Sequence, residues 1–296
     1  MKIGYFADGP WSHEAFKKIQ ADTRFQIEFI VPRYDTKDNT LETFASNHNI
    51  PYFKLQNVND KISLEKIESF SCDILVSMSF NQIFRKDIIN LTPNGIINCH
   101  AGKLPFYRGR NILNWVLIND EDEFGITVHY VDEGIDTGDI ILQKSYSINE
   151  SDDYSTLLSR SYIECANILY DALILFIDGD VPRINQATIH PLGMYCGRRG
   201  MGDEIIDWNQ TSREIHNFIR SVCSPGPLAT TYSRDTEVKI NKSKYYNNAP
   251  NYIGKVGQIL SKTANGYLVK TKDSYIEIFE VRSDRKLIVG NCLLNK

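Results

Sequence analysis

The chain has no C-x-x-C pair, no apolar run near the ~20 residues that span a bilayer, and no G-x-G-x-x-G after its first apolar segment. Each absence excludes something. The six cysteines, Cys72, Cys99, Cys165, Cys196, Cys223 and Cys292, are scattered. Zinc sites draw on close ligand pairs, so no metal is expected. Scattered thiols also fit a reducing compartment. Met1 to Phe6 reads as a strand rather than a signal segment, and the expected address is cytoplasmic. The missing glycine fingerprint disfavours a nicotinamide cofactor. An excess of one charge is absent too: 33 Lys and Arg against 37 Asp and Glu leave a net −4. That balance exerts no global pull on nucleic acid or anionic lipid, so neither is expected as a partner.

What is present is an ordinary globular composition, 42% hydrophobic and 24% charged over 296 residues, long enough for two domains. Lys2 to Ala7, Gln26 to Val31, Pro51 to Leu55, Asp73 to Ser79 and Ile96 to His100 read as strands. Helical patterns alternate with them: one from His13 capped by Ser12, one over Leu41 to Asn47, one over Ile62 to Phe70. The alternation predicts an α/β fold, a Rossmann-like open, mostly parallel sheet with helices on both faces. Tyr154 to Asp178 reads as a long helix and Ser212 to Val222 as another, stopped before Pro225. Beyond Ala229 short alternating runs, including Val256 to Leu260, Gly266 to Thr271, Tyr275 to Val281 and Leu287 to Val289, predict a small antiparallel β-subdomain of OB-like character. The expected organisation is a catalytic domain over 1–183, a connecting region over 184–211, and a helix plus β-domain over 212–296.

The densest chemical signal is Asn98-Cys99-His100-Ala101-Gly102-Lys103-Leu104-Pro105-Phe106-Tyr107-Arg108-Gly109-Arg110. It continues through Asn114-Trp115 and Gly125 to His129, and closes with Asp132-Glu133-Gly134-Ile135-Asp136-Thr137-Gly138-Asp139. Residues two apart on a strand share a face, so Asn98 and His100 can point together beyond a strand's carboxyl end. An amide donor, an imidazole and a nearby carboxylate suit acyl transfer to a nucleophile. Asp132, Asp136 and Asp139 are the candidates for that carboxylate. Each piece alone is equally compatible with strand ends and Asp-Gly turns.

The whole ordered string resembles the signature of the 10-formyltetrahydrofolate-dependent formyltransferases, which act on glycinamide ribonucleotide, methionyl-tRNA or nucleotide-linked amino sugars. The resemblance runs over at least Asp73 to Leu142. It implies an enzyme, with Asn98, His100 and Asp136 as the catalytic set and 10-formyltetrahydrofolate as formyl donor. It implies a pterin slot formed by Ser79, Phe80, Asn81, Gln82 and Ile83 on one loop and Asp132, Gly134 and Asp139 on another. It also implies a homodimer.

For the acceptor, Tyr107-Arg108-Gly109-Arg110 and the element Tyr195-Cys196-Gly197-Arg198-Arg199 with Ile206-Asp207-Trp208 are similar to the nucleotide-sugar branch. Tyr107, Arg108, Arg110, Tyr195, Arg198, Arg199 and Trp11 are then expected around the substrate, with guanidinium groups on a diphosphate. The expected acceptor is a dTDP- or UDP-linked 4-amino-4,6-dideoxy sugar destined for surface polysaccharide or glycoconjugate. Methionyl-tRNA and UDP-4-amino-arabinose are the alternatives within the same chemistry.

Overall fold

β-Branched and aromatic residues in short runs set the first half of the chain into strands, and capped amphipathic stretches fold back over them. The computed structural model describes residues 1–295. The chain begins with β1 (Lys2–Ala7), α1 (Pro10–Gln20), β2 (Gln26–Val31), α2 (Thr40–His48), α3 (Lys61–Glu68), β3 (Ile74–Met78), α4 (Lys86–Ile89), β4 (Ile96–His100) and the short β5 (Arg108–Gly109). It continues through α5 (Ile112–Ile118), β6 (Glu123–Tyr130), β7 (Ile140–Ser147), α6 (Tyr154–Asp178), α7 (Gln186–Ile189) and β8 (Tyr195–Cys196). It ends with α8 (Ser212–Val222), β9 (Ala229–Ser233), β10 (Thr236–Lys244), β11 (Ile259–Lys262), β12 (Gly266–Lys270), β13 (Tyr275–Ser283) and β14 (Leu293–Leu294). Two units result. The first comprises Met1–Gly109, Phe124–Tyr146 and Ser159–Cys196; the second comprises Arg110–Glu123, Ser147–Leu158 and Gly197–Lys296.

In the first unit six strands lie in the order β2-β1-β3-β4-β6-β7. β2, β1, β3 and β4 are parallel, and β6 runs antiparallel to β4. This is the mostly parallel, Rossmann-like sheet expected. All five residues of β3 are buried, as a strand covered on both faces requires. One core layer gathers Phe6, Phe29, Val31, Ile67, Leu75 and Ile96. Gly4 is there because the sheet is tight: a Cβ would stand 2.5 Å from the Phe29 ring. The chain turns from β2 back across β1 to β3, so the winding reverses there, and sheets of this kind bind ligands beyond the carboxyl ends of their strands.

Two expectations for this unit need correction. Ser12 does not cap α1. Pro10 occupies the first turn, where its fixed φ suits a helix start, Gly9 is the cap residue, and Ser12 Oγ donates to Gly9 O at 2.7 Å. Pro51 to Leu55 is not a strand. Proline removes a donor, and only Tyr52 makes a bridge, to Ile30.

The second unit is a six-stranded antiparallel sheet in the order β11-β12-β13-β10-β9-β14. It curls until its edges meet: Gln258 bridges Cys292, and Ile259 N donates to Asn291 O at 2.9 Å. Leu287 to Val289 is not one of its strands, since the chain turns at Gly290 (φ 92°) and leaves Ile288 and Val289 exposed. α8 begins at a capping box formed by Thr211 and Glu214. Its Ile215, Ile219 and Val222 pack with Trp208, Val238, Ile240, Ile276 and Ile278. Among the described residues no helix is long and apolar enough to cross a membrane.

His216 on α8 is buried, with Nδ1 2.9 Å from Ser243 Oγ. Burial first, then the guanidinium groups of Arg220 and Arg213, push its imidazole down to about 4, against the opposing pull of Glu150 and Asp120. The unfolded chain binds the proton near pH ~6.5, so stability is full above that value and falls as pH drops towards 4. The ceiling is about 3 kcal/mol. Urea unfolding at neutral pH and near pH 4.5 should show a smaller acid loss for His216→Gln than for the parent. An unchanged acid loss would remove His216 from the account.

Candidate active site

β4 ends in Asn98-Cys99-His100, and its antiparallel neighbour β6 sets His129 opposite Asn98 and Thr127 opposite His100. Period-two alternation puts these four on one face. Asn98 Nδ2 lies 3.2 Å from His129 Nε2. Thr127 Oγ1 donates to Gly102 O at 2.6 Å and accepts from Gln143 Nε2 at 2.8 Å, which pins the turn after His100. Gly102 is required there, because a Cβ would lie 2.3 Å from His100 Nε2.

The loop after β6 brings Asp136 to the same place. Its backbone is left-handed, φ 53°, a region that Asp tolerates better than most residues. One carboxylate oxygen, Oδ2, accepts the Gly109 N–H at 2.8 Å and lies 3.6 Å from His100 Nδ1. The other, Oδ1, lies 3.4 Å from His129 Nε2. Burial alone would raise the Asp136 pKa. His100, His129 and the Gly109 N–H outweigh it and hold the carboxyl well below the usual carboxylate range. Asp136 is therefore an anion at neutral pH.

The protons on the two rings follow from their other partners. His100 Nε2 is 2.7 Å from the Tyr107 carbonyl. A carbonyl only accepts, so Nε2 carries hydrogen. That leaves Nδ1 facing the carboxylate at a distance too long for a full hydrogen bond, with its proton or lone pair available to a substrate. His129 Nδ1 is 2.7 Å from its neighbour's carbonyl, Tyr130 O, so Nδ1 carries hydrogen, and Nε2 faces both the Asn98 amide at 3.2 Å and Asp136 Oδ1 at 3.4 Å. The Asn98 amide is thereby held against His129.

Asn98, His100 and Asp136 thus converge. His129 joins them and was missed from sequence. The alternation of Thr127 and His129 with apolar Ile126 and Val128 places it on a polar face, but the register against β4 is invisible in a sequence.

The remaining expected residues divide. Ser79 (φ 56°) is gripped by Arg33, whose Nε donates to Ser79 O at 2.6 Å and Nη2 to Ser79 Oγ at 2.7 Å. Asn81 donates to Asp35 at 3.2 Å. Gln82 is committed to the segment before α3, donating to Leu55 O and accepting from Val58 N, each at 2.9 Å. Phe80 packs on Phe6 and Phe84. Ile83 and Ile135 are exposed, one on each of the two loops. Asp132 closes its loop by accepting from Gly134 N at 3.0 Å and Thr137 Oγ1 at 2.5 Å. Asp139 faces Arg183 at 3.6 Å.

On the acceptor side, Trp11 meets Tyr162 edge-on at 4.9 Å. Tyr107 is buried. Arg108 binds Gln186 rather than projecting into solvent. Tyr195 is exposed and its ring lies over Gly109, where a Cβ would stand 2.7 Å from Tyr195 Cε2. In the second unit Arg199 is packed between Trp115 and Phe218, at 5.2 and 5.6 Å, and donates to Asp203 O. Burial lowers its pKa. Arg110 and Arg198 are exposed and make no ion pair among the described residues.

Comparison with known proteins identifies the family. The family model described as formyl transferase matches residues 21–173, and the model for the formyl transferase C-terminal domain matches residues 201–295. A methionyl-tRNA formyltransferase of Clostridioides difficile (strain 630) is 32% identical over 252 residues, covering 84% of this chain and 80% of that protein. Another, from Pelotomaculum thermopropionicum, is 33% identical over 247 residues, covering 83% and 77%. Among solved structures, WlaRD, a sugar 3N-formyltransferase determined with dTDP and 5-N-formyl-THF, has a TM-score of 0.73 at 22% identity. It covers 97% of this chain and 99% of its own. The N-formyltransferase of Helicobacter canadensis, in complex with folinic acid and dTDP-3-aminofucose, has a TM-score of 0.73 at 21% identity, covering 95% and 100%. Those two likenesses concern the fold. With both family models matched and curated relatives above 30% identity across most of its length, this chain belongs to the formyl transferase family and is an N-formyltransferase.

Proposed function

We propose that the enzyme takes the formyl group of its donor substrate, 10-formyltetrahydrofolate, and places it on the amino group of a dTDP- or UDP-linked 4-amino-4,6-dideoxy sugar. The observation that carries the transfer chemistry is the meeting of Asn98, His100 and Asp136 beyond the end of β4. As the amine nitrogen bonds to the formyl carbon, the formyl oxygen gains negative charge. The Asn98 amide and a protonated His100 Nδ1 stabilise that oxygen. The Asp136 carboxylate faces that imidazole. A water held by Asp136 takes the amine proton, and a proton returns to the departing folate nitrogen.

For the donor, a pterin needs apolar walls and main-chain hydrogen bonds. Ile83 and Ile135 supply exposed aliphatic surface on the loops that carry Ser79 to Ile83 and Asp132 to Asp139. Phe80, Gln82 and Asp132 act on this reading by shaping those loops. For the acceptor, Arg110 and Arg198 are the guanidinium groups left open for a diphosphate, and Tyr195 is an exposed ring. Arg108 and Arg199 support structure instead. The near end-to-end match to sugar formyltransferases that bind dTDP or a dTDP-sugar supports a nucleotide-linked amine. Methionyl-tRNA is the second reading, favoured by curated relatives of 32% identity.

The deciding experiment supplies 10-formyltetrahydrofolate with a panel of acceptors: dTDP- and UDP-linked amino sugars, and charged initiator tRNA. Formylation of a dTDP- or UDP-4-amino-4,6-dideoxy sugar is expected, and Arg110→Ala and Arg198→Ala should raise its KM. Formylation of tRNA and no sugar overturns the acceptor.

A further inference from the structure

Gln186 lies outside the set just described, yet its side chain is nearly enclosed, 3% exposed. Two backbone features bring it there. Ile184 and Ile140 exchange both main-chain bonds, at 2.8 and 2.9 Å, beside the start of β7. Asn185 then caps the short α7, its Oδ1 accepting from Ala187 N at 2.9 Å. Gln186 follows as the first helical residue and turns inward.

Its amide is fully used. Nε2 donates to Asp136 O at 2.9 Å and to Gly138 O at 2.8 Å. Oε1 accepts from Arg108 Nε at 3.1 Å and from Nη2 at 2.6 Å. The orientation is fixed by chemistry: two carbonyls need the NH2 end, and a guanidinium needs the oxygen. Arg108 in turn precedes Gly109, whose N–H binds the Asp136 carboxylate, and Arg108 N donates to Met194 O at 3.1 Å. Asp136 is therefore clamped at both ends, at its carbonyl by Gln186 and at its carboxylate by the residue next to Arg108. The loop it sits on is closed at its neck by Tyr130 N donating to Asp139 O at 2.9 Å. Gly138 lies so close to the strand that a Cβ would fall 1.9 Å from Tyr130 O. A left-handed Asp needs such over-determination to persist as a single conformer.

We infer that Gln186 is a positioning residue for formyl transfer, locking the left-handed Asp136 so that its carboxylate stays between His100 and His129. The inference rests on the reading of Asp136 as catalytic. A small error in the carboxylate's place is costly, because catalytic groups must hold near-attack geometry. Only glutamine fits both sides. Glutamate keeps the Arg108 contact but turns acceptors against two carbonyls, and alanine removes both links.

The test uses the full chain and four variants: Gln186→Ala, Gln186→Glu, Asp136→Asn, and the double Gln186→Glu with Asp136→Asn. Substrates are 10-formyltetrahydrofolate and the acceptor that the panel selects, dTDP-4-amino-4,6-dideoxyglucose on the present reading. Gln186→Glu should lower kcat between about 10- and 100-fold, with both KM values within about twofold of the parent. The double variant should be no slower than Asp136→Asn alone, since Gln186 acts through Asp136. Without substrate, amide hydrogen exchange over 133–139 should speed up in both Gln186 variants while the rest of the sheet keeps its protection. A parental kcat in both Gln186 variants, a rise in KM in place of the kcat loss, an additive loss in the double variant, or unchanged exchange over the loop overturns the proposal. If Asp136→Asn itself turns over at the parental rate, the catalytic reading of Asp136 fails instead, and the exchange data still judge the clamp.

Discussion

Replacing His100 by Asn, or Asp136 by Ala, should cut kcat by at least about 10²- to 10³-fold while the protein remains folded. On the proposed reading His100 presents Nδ1 to the reacting centre, because Nε2 is already spent on the Tyr107 carbonyl. Asn in its place has no imidazolium to offer the developing oxyanion. A donor of that kind is worth roughly 3–4 kcal/mol in the transition state. Asp136→Ala removes the carboxylate that lies between the two imidazoles and strands the Gly109 N–H. The two substitutions attack one unit, so their combined loss should fall well short of the product of the single losses. Steady-state release of tetrahydrofolate gives kcat, and circular dichroism reports the fold. There is a stability corollary with a definite sign. The folded-state pKa of Asp136 is depressed, so its contribution is present above about pH 4 and is lost as pH falls through the folded value. A variant that turns over near the parental rate removes its residue from the catalytic set.

The second large effect concerns stability. Trp208 is fully buried in the core of the second unit, and its Nε1 donates to Thr231 Oγ1 at 2.9 Å. It packs with Ile215, Ile219 and Val222 of α8 and with Val238, Ile276 and Ile278 of the curled sheet. Trp208→Ala opens a cavity at about 3–5 kcal/mol and leaves the Thr231 hydroxyl without its donor, about 1 kcal/mol more. Trp208→Phe keeps most of the apolar contact and should cost only about 1–2 kcal/mol. Urea unfolding followed by circular dichroism separates the two. A loss below about 1 kcal/mol for the alanine variant would mean that the helix and sheet do not depend on this residue.

Trp208 also shows where sequence reading stops. As a motif residue it sits two positions after Ile206, in an element similar to the sugar branch, and nothing in that string says whether the ring faces a ligand or a core. The structure buries it. The same limit applies to charge. Arg108 and Arg199 look like Arg110 and Arg198 in a sequence, yet the first two are absorbed by Gln186 and by Trp115 and Phe218, while the others face solvent.

Elements with complete local signals were legible to the residue. β4 over Ile96–His100 is an apolar run ending at the polar Asn98 and His100, and α8 over Ser212–Val222 carries Thr211 and Glu214 as a capping box and ends before Pro225. α6 over Tyr154–Asp178 is long enough for its periodicity to average out irregularities and ends at Gly179. Short segments whose fate depends on distant partners were not. Pro51 to Leu55 and Leu287 to Val289 carry strand-like residues but lack a neighbour to pair with along their length. His129 and Gln186 reach the site through strand register and a bridge between Ile140 and Ile184, neither of which leaves a trace in local sequence. The two units are likewise assembled from separate stretches of chain, which a linear reading has no means to foresee.

The most direct measurement is a single-turnover reaction with isotopically labelled 10-formyltetrahydrofolate and the acceptor panel, run on the parent and on His100→Asn, with products identified by mass spectrometry. The account predicts labelled formamide on the acceptor amine with the parent enzyme and almost none with the variant. Equal transfer by the two proteins, or release of labelled formate with no acceptor modified, would contradict it.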